Sequence, residues 1–442
     1  MELTCSMHDT RQLTYLFSAF LLATSPLMAG DNINISRTSG IELAFNNNRE
    51  LAIAELAIAR AKVVARWAGR LDNPELELNF SDDGVGLDKN EGVLEVGFVQ
   101  RFPITSRLKD EKRLRAHQIL LSEAEIAERR RELSGEVDLA VIELLATHSL
   151  LEQQHKLIVL NEKIVSFLDE QAAQGVVSQL DATQAKLMGR LLNQRITALE
   201  VQEVAQSAVV KKLIGLAPET QITLANGLRL PGSRPEIRTA YETIFSQRPD
   251  HVLALTKIGE ADAAIAFESA KRWEDVSLRV FAEHERSVDE PEGFERNSFL
   301  GVGISIPLPL RQNNQAGIEK AQIDRIGAEK SMEATRFHIR SEYEEAFQNR
   351  LANWELAREA SGEVLTLADK NFDEYEKAYH EGQVSFLHIQ RAQEQQIKLK
   401  TAALKAVTEY YRADAKLRFV TGDYPGLTRA GGANIKQKLS SE

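Results

Sequence analysis

The chain contains the same sequence pattern twice, and this repetition most strongly constrains its fold. A Gly-x-x-Ser motif at residues 175–178 precedes a helix-like segment that ends at Gly215. About 207 residues later, a second motif at 382–385 precedes a segment that ends at Gly422. An alternating strand pair with a proline turn lies upstream of each motif. Self-similarity of this kind indicates two copies of one unit, which we predict to be a helix, two strands, a very long helix, a glycine turn and a second long helix.

Proline placement indicates where the long helices lie. None of the 11 prolines falls between Pro103 and Pro218 or between Pro309 and Pro425, and a proline inside a helix costs about 3 kcal/mol. Both proline-free spans carry apolar residues at coiled-coil spacing. At 1.5 Å per residue, the longer helices would be about 100 Å long. The predicted long helices cover residues 107–174, 179–215, 314–381 and 386–422.

Four segments alternate apolar and polar residues, as half-buried strands do. They lie at about 75–81, 93–102, 275–283 and 298–306. Segments of this length with one apolar face are a weak signature of transmembrane β-strands, although two soluble hairpins packed on helices would show the same pattern. The connections at 81–92 and 284–297 are acidic and contain glycine, as outward loops of a barrel do. Four strands cannot close a barrel, and lipid tolerates no open sheet edge, so a membrane reading requires several chains.

Composition and the N-terminus exclude several classes of function. The formal net charge of −11 argues against nucleic acid as a partner. Arg11, an apolar run at 13–22 and small residues up to Gly30 predict a secretory signal peptide at residues 1–30, with a membrane anchor as the alternative. The only cysteine, Cys5, would leave with that signal, which excludes disulfides and thiolate chemistry in the mature chain. The sequence has no catalytic triad and no metal-ligand spacing, so we predict no enzymatic activity, no metal and no cofactor.

In combination, these features resemble the TolC family of outer-membrane efflux and secretion channels. The resemblance extends from about Ser36 to Gly422 and includes both Gly-x-x-Ser motifs. It also includes Asn-Pro-Glu-Leu at 73–76, Ile-Pro-Leu at 306–308 and Gln-Ala-Gly at 315–317. Each motif alone is weak, whereas their order and spacing together are specific to the family.

The resemblance implies a mainly α fold with a β-barrel contribution. Three copies of the chain, each supplying four transmembrane β-strands, would close a twelve-stranded barrel, and their long helices would form a coiled-coil α-barrel across the periplasm. Each repeat would open with one helix. The chain would divide into a first repeat at 31–215, an equatorial linker at 216–235, a second repeat at 236–422 and a polar C-terminal tail at 423–442.

The implied function is that of the outer-membrane channel in a tripartite efflux system. Such a channel is a passive homotrimeric conduit for substrates delivered by an inner-membrane pump and a periplasmic adaptor. The short length and the lack of a lipid-anchoring cysteine are more similar to the heavy-metal branch, whose channels pair with resistance-nodulation-division pumps. The alternatives are a type I secretion channel and a periplasmic coiled-coil scaffold without a pore. Apolar outer faces on four strands argue against the scaffold.

The resemblance also assigns an adaptor-docking surface at the periplasmic tip. There the two Gly-x-x-Ser turns reverse the chain, which a glycine permits, and meet the adaptor. A turn that serves only to reverse the chain is the alternative. The docking residues are Gly175, Val176, Val177, Ser178, Gly382, Gln383, Val384 and Ser385.

A gate or pore constriction is implied just inside that tip. Its residues correspond to Asp181, Tyr379, His388 and Arg391. The family has acidic residues at the last two positions and an arginine where this chain has Val384. The sequence therefore predicts a preference for anions or pH-dependent gating in place of a carboxylate ring. An exposed helix histidine without a special role is the alternative for His388.

Overall fold

A computed structural model describes residues 32–82, 91–225, 227–235, 238–289 and 293–427, and most of these residues are helical. The predicted mainly α fold is therefore confirmed, while the predicted signal peptide and residues 428–442 of the tail lie outside the described residues. The helices are α1 (Arg37–Asn47), α2 (Arg49–Trp67), α3 (Arg107–Ala173), α4 (Gln179–Ile214), α5 (Tyr241–Gln247), α6 (Pro249–Ala270), α7 (Gln315–Ser361), α8 (Glu363–His380) and α9 (Phe386–Thr421). The strands are β1 (Asn32–Ile35), β2 (Glu75–Ser81), β3 (Gly92–Phe102), β4 (Gln221–Leu224), β5 (Val276–Asp289) and β6 (Gly293–Ser305).

Each half of the chain opens with two helices, which corrects the prediction of a single opening helix. Ser36 and Ser39 form a capping box that starts α1. Asn48 then ends α1 and caps α2 with its side chain. In the second half the break falls at Arg248, because Pro249 at the first helical position starts α6.

Four strands form one antiparallel sheet in the order β2-β3-β5-β6. The hairpin of β5 and β6 is longer than predicted, because its paired register continues to Asp289 and Gly293. The segment at 284–297, predicted as an outward loop, is therefore mostly strand. The side chains of this segment do not alternate between apolar and polar, so the sequence did not indicate a strand. The backbone pairing nevertheless continues.

The predicted equatorial linker contains a strand that the sequence did not predict. β4 pairs in parallel with β1, and Ile35 lies opposite Leu224. Both strands belong to the largest hydrophobic cluster, which also holds Tyr424 and Leu427. The first residues of the predicted polar tail are thus core residues, since these two side chains are only 3% and 6% exposed.

The helix predicted over residues 314–381 is interrupted, which corrects that prediction. α7 ends at Ser361 and α8 begins at Glu363, so Gly362 lies between them. A β-carbon at Gly362 would lie 2.8 Å from the carbonyl oxygen of Arg358. By contrast, α3 is continuous over 67 residues and about 100 Å long.

The helices pack in two rows, one on each side of the equatorial strands. The row nearer the sheet has the order α2-α3-α6-α7, and the row nearer the turns has the order α4-α3-α9 followed by α7 and α8. Among the described residues, no helix combines the length and the apolar composition that crossing a bilayer requires. In the sheet and in both helix rows, first-half elements lie at one edge and second-half elements lie at the other.

Arginine–carboxylate contacts attach the short helices to the long ones. Arg37 of α1 makes two hydrogen bonds to Asp138 of α3, at 2.6 and 2.8 Å, and the Asp138 side chain is fully buried. In the second half, Arg248 binds Glu342 of α7 at 2.9 Å, and this glutamate is 39% exposed. Burial by itself lowers the pKa of Arg37, but the hydrogen bonds and charges of Asp138 and Asp414 outweigh it and raise that pKa, so Arg37 stays charged.

Candidate functional site: the tip turns

Two turns at the far ends of the long helices have the same backbone geometry. The first, residues 175–178, joins α3 to α4, and the second, residues 382–385, joins α8 to α9. Gly175 has a φ of +74° and Gly382 a φ of +73°, a left-handed conformation that a side chain disfavours. The amide after each glycine donates to the carbonyl five residues earlier, at 3.0 and 2.8 Å, as in a Schellman motif. We call these segments the tip turns.

The tip turns present an open surface with exposed apolar side chains. A β-carbon built on either glycine would meet no described atom within 4 Å. Glycine is therefore required by the backbone conformation and not by lack of space. Val176 is 67% exposed, Leu180 78% and Leu387 47%. Apolar side chains at a bare helix turn favour contact with another protein.

Side chains next to both tip turns pack in one small core. Its buried members are Leu168, Ala182, Ala185 and Phe386, with Val177 and Tyr379 packed against them. These residues come from α3, α4, α8 and α9 and from the first turn itself. The cluster therefore fixes the two tip turns relative to each other.

The serines of the two turns have different partners. Ser178 caps α4, because its hydroxyl accepts a hydrogen bond of 3.2 Å from the amide of Leu180. The hydroxyl of Ser385 makes no such cap and lies 3.0 Å from Nδ1 of His388. Of Gln383 and Val384, the former is exposed and the latter partly buried.

Of the predicted gate residues, Asp181 lies near enough to Tyr379 for its charge to act on the phenol. Asp181 lies in the first turn of α4, and Tyr379 lies on α8, one turn before Gly382. Burial and the negative charge of Asp181 raise the pKa of the Tyr379 phenol. The Tyr379 ring also meets Phe167 and Phe386 edge-on, at centroid distances of 5.9 and 6.3 Å.

His388 and Arg391 are placed differently from that pair. Both are exposed on α9, one helical turn apart. The His388 ring stacks on Tyr375 at 6.2 Å with an interplanar angle of 17°. The Tyr375 ring and the Ser385 hydroxyl thus orient the exposed His388 side chain. In this position His388 can line a water-filled passage or remain on the helix surface.

At the opposite end of the molecule, one face of the sheet carries a continuous apolar set and the other carries a network of ion pairs. Its apolar face carries large side chains that are mostly more than 40% exposed, and they continue across all four strands in register. On the other face, Arg279 binds Glu77 at 2.9 Å and also binds Glu95. The apolar set is Leu76, Leu78, Phe80, Leu94, Val96, Phe98, Leu278, Val280, Leu300, Val302 and Ile304.

No protein-family model matches the sequence, and no curated protein matches it. Solved structures do match. CusC, described as forming a transmembrane channel, is 17% identical with a TM-score of 0.69, and the match covers 91% of this chain and 96% of CusC. The Campylobacter jejuni outer membrane channel CmeC is 13% identical with a TM-score of 0.68, over 93% of this chain and 92% of CmeC.

A third match is the outer membrane protein VceC of Vibrio cholerae. It is 17% identical with a TM-score of 0.65, over 87% of this chain and 95% of VceC. The chain has the fold of these outer-membrane channels. Because the matches cover nearly the whole of both chains, the channel fold accounts for the sheet, the helix rows and the tip turns together.

In this channel fold, the ring partners at the tip are residues that sequence reasoning missed. Phe167 contacts Tyr379, and Tyr375 contacts His388. Tyr375 and Tyr379 are four residues apart on one helix, which is a signal that could have indicated a shared face. Nothing in the sequence pairs Phe167 with α8. Within the described ranges, no group of three or more histidine, cysteine or acidic residues could hold a metal ion.

Proposed function

We propose that this protein is the outer-membrane channel of a tripartite efflux system, a passive homotrimeric conduit that extends through the periplasm. The observation that carries the proposal is the sheet, in which one exposed apolar face spans four strands. The sheet leads into long helices, of which α3 is about 100 Å long. Likeness to outer-membrane channels supports the same reading. Substrates would pass through the lumen without covalent chemistry, and no cofactor would take part.

The open edges support assembly of several chains. Among the described residues, β2 and β6 each have a neighbouring strand on one side only. The helix rows end in the same way, with exposed apolar side chains on α2 and α4 at the first-half edge and on α7 and α8 at the second-half edge. These are Ile53, Val63, Trp67, Leu187, Leu191, Val201, Ile323, Phe337, Leu356 and Leu367.

A ring closes when the first-half edge of one copy meets the second-half edge of the next. β2 and β6 run in opposite directions, so β6 of one copy can pair with β2 of its neighbour as another antiparallel pair. In lipid, each unsatisfied backbone group costs several kcal/mol, so a single inserted copy would be unstable. Three copies would give a closed barrel of twelve strands, as in the family that the sequence resembles.

The tip turns would then lie in the periplasm, about 100 Å from the membrane. The open surface around Gly175 and Gly382 suits contact with a periplasmic adaptor, which would connect the channel to an inner-membrane pump of the resistance-nodulation-division type. Asp181 and Tyr379 would hold the tip closed, with His388 and Arg391 lining the passage behind them.

Membrane insertion is tested by arginine substitutions on the two faces of β6. Val302→Arg, on the apolar face, should cost about 2–4 kcal/mol near the bilayer midplane, whereas Ser305→Arg on the other face should be tolerated. The readouts are outer-membrane fractionation, cross-linking to a trimer and a heat-modifiable gel band. Equal tolerance of the two arginines, or a folded monomer in the membrane, would contradict the proposal.

Docking and gating are separated by two kinds of variant. Gly382→Trp should abolish export and leave trimers in the outer membrane, because the tip is far from the barrel.

Asp181→Ala and Tyr379→Phe should raise single-channel conductance in planar bilayers and leave adaptor binding intact. Unchanged conductance in both gate variants, with normal export, would mean that other contacts close the tip.

A further inference from the structure

The apolar row of β6 continues past the end of the strand into a segment with two prolines. β6 ends at Ser305, yet apolar residues still occupy every second position, at Ile304, Ile306, Leu308 and Leu310. The last three are 56%, 65% and 84% exposed. We call residues 306–310 the proline hook. Its large side chains therefore extend the exposed apolar face of the sheet toward the helices.

The backbone of the proline hook has few free hydrogen-bond donors. Pro307 and Pro309 have no backbone N–H, and the N–H of Leu310 donates to the carbonyl oxygen of Leu308 at 2.8 Å. Irregular backbone is normally kept out of hydrocarbon, because each unsatisfied polar group is costly there. Two prolines and one internal hydrogen bond remove most of that cost on the donor side. The segment is thus suited to contact with lipid although it is not a strand.

The apolar part of β6 alone is short for a membrane. From Leu300 to Ile304 the strand advances about 13 Å, which is about 10 Å along the membrane normal at the usual barrel tilt. The apolar band of a membrane barrel is about 25 Å tall. Beyond Leu300 the same face carries Ser298 and Arg296, so further apolar height has to come from the helix side. The hook adds up to about 20 Å of chain between Ile304 and Leu310.

Other connections at the helix end of the sheet also expose apolar side chains. Phe102, the last residue of β3, pairs with Val276 at the start of β5 and is 41% exposed. Ile104 is 55% exposed, and Trp273 is 43% exposed. Aromatic side chains are enriched at membrane interfaces, and basic ones lie at the headgroup level. Arg311, which is exposed, directly follows the hook.

We propose that the proline hook is immersed in the acyl chains of the periplasmic leaflet of the outer membrane and anchors the channel there. Side chains of a strand point out of the sheet and not toward the next strand. A hook that continues the apolar row therefore faces lipid and not a neighbouring copy. This inference rests on the proposed function, because that function puts the sheet in the membrane and the helices in the periplasm.

The hook is tested with nitroxide spin labels on the full-length trimer in phospholipid vesicles. Cys5, the only native cysteine, is replaced by serine, and single cysteines are introduced as Leu308→Cys and Leu310→Cys. Collisions with molecular oxygen, which concentrates in hydrocarbon, are compared with collisions with a water-soluble nickel chelate. The oxygen-to-nickel ratio at both hook positions should be several-fold higher than at a label in water.

Two controls match Leu308 in exposure. Val302→Cys lies on the apolar face of the sheet and Val176→Cys lies at a tip turn, and both native side chains are 67% exposed against 65% for Leu308. The hook labels should resemble Val302→Cys and differ from Val176→Cys. A heat-modifiable trimer band shows that each variant has assembled, and labels at two hook positions guard against the loss of one variant.

Two results would overturn the hook alone, with the Val302 label in lipid. Nickel-favoured collisions at positions 308 and 310 would place the hook in water. Few collisions with either reagent would place it against protein, such as a neighbouring copy. A Val302 label in water would instead refute the proposed channel function, and the hook with it.

Discussion

The two long arms of the molecule end in the same turn but occupy different positions in the fold. α3, in the first half, contacts helices on both sides in both rows and is continuous. α7 and α8, in the second half, lie at an edge of the rows and are interrupted at Gly362. One sequence pattern thus gives an interior helix and an edge helix. The difference indicates that environment, rather than the shared motif, decides which arm is continuous and tightly held.

The largest expected effect concerns the two arginine–carboxylate contacts. Asp138→Ala should lower the free energy of unfolding by about 3 kcal/mol, because it removes the fully buried carboxylate that both Arg37 and Arg418 contact and leaves Arg37 only Asp414. Glu342→Ala, at the half-exposed counterpart, should cost about 1 kcal/mol or less, since Arg248 keeps Asp250 at 2.5 Å. Denaturation followed by circular dichroism in detergent measures both. Equal losses would show that the interior and edge arms are held alike.

Alanine in place of Gly362, which lies between two helices, should have the opposite effect on stability from alanine in place of a glycine inside a helix. Gly362→Ala should destabilise by about 1–3 kcal/mol, because the new β-carbon is too close to a carbonyl oxygen. Gly327→Ala, in the continuous part of α7, should stabilise by up to about 1 kcal/mol, since its β-carbon meets no described atom within 4 Å. The same thermal melts decide this, and a stabilising Gly362→Ala would mean that the interruption does not depend on glycine.

Alkaline pH should act on the second half through Tyr410. Burial, and then the charge of Asp414, raises the pKa of Tyr410 from 10.0 to about 12. Because the folded-state pKa is the higher one, the stability is fully present below pH 10 and is lost as the pH rises toward 12. The loss should be on the order of 1 kcal/mol near pH 11. Tyr410→Phe should reduce the fall in melting temperature between pH 8 and pH 11, and an unchanged fall would exclude this tyrosine as a cause.

The smallest expected effect separates the two tip-turn serines. Ser178→Ala removes a helix cap and should cost about 0.5–1 kcal/mol locally, seen as faster amide hydrogen exchange at the start of α4. Ser385→Ala removes no cap and should leave exchange at the start of α9 unchanged. Matching changes in the two helices would show that the serines are equivalent after all.

Much of the helical architecture followed from proline placement and periodicity, whereas the features set by distant contacts did not. β1 and β4 have only four residues each and pair across almost 190 positions, so no local pattern indicates them. Gly362 could not be distinguished by sequence from Gly135 and Gly189, which lie within continuous helices. What sets Gly362 apart in the structure is its non-helical backbone, with a φ of −93° and a ψ of −116°.

For the tip, the sequence indicated the turns but not all their contacts. Glycine at a helix end predicts a left-handed residue, and both glycines adopt it. The bond between Ser385 and His388 depends on rotamers, and the contact between Phe167 and Tyr379 depends on how two helices are aligned. The docking and gating roles of these residues remain predictions.

The sheet and the helix rows each have two different edges, one from the first half of the chain and one from the second. This difference has a genetic consequence. In the proposed trimer each chain supplies one edge of each kind, so a chain damaged at one edge still occupies a position and leaves the ring open. In a cell that makes intact and damaged chains in equal amounts, about one ring in eight would contain three intact chains. Alleles that disrupt β2 or β6 would therefore behave as dominant negatives in the proposed trimer.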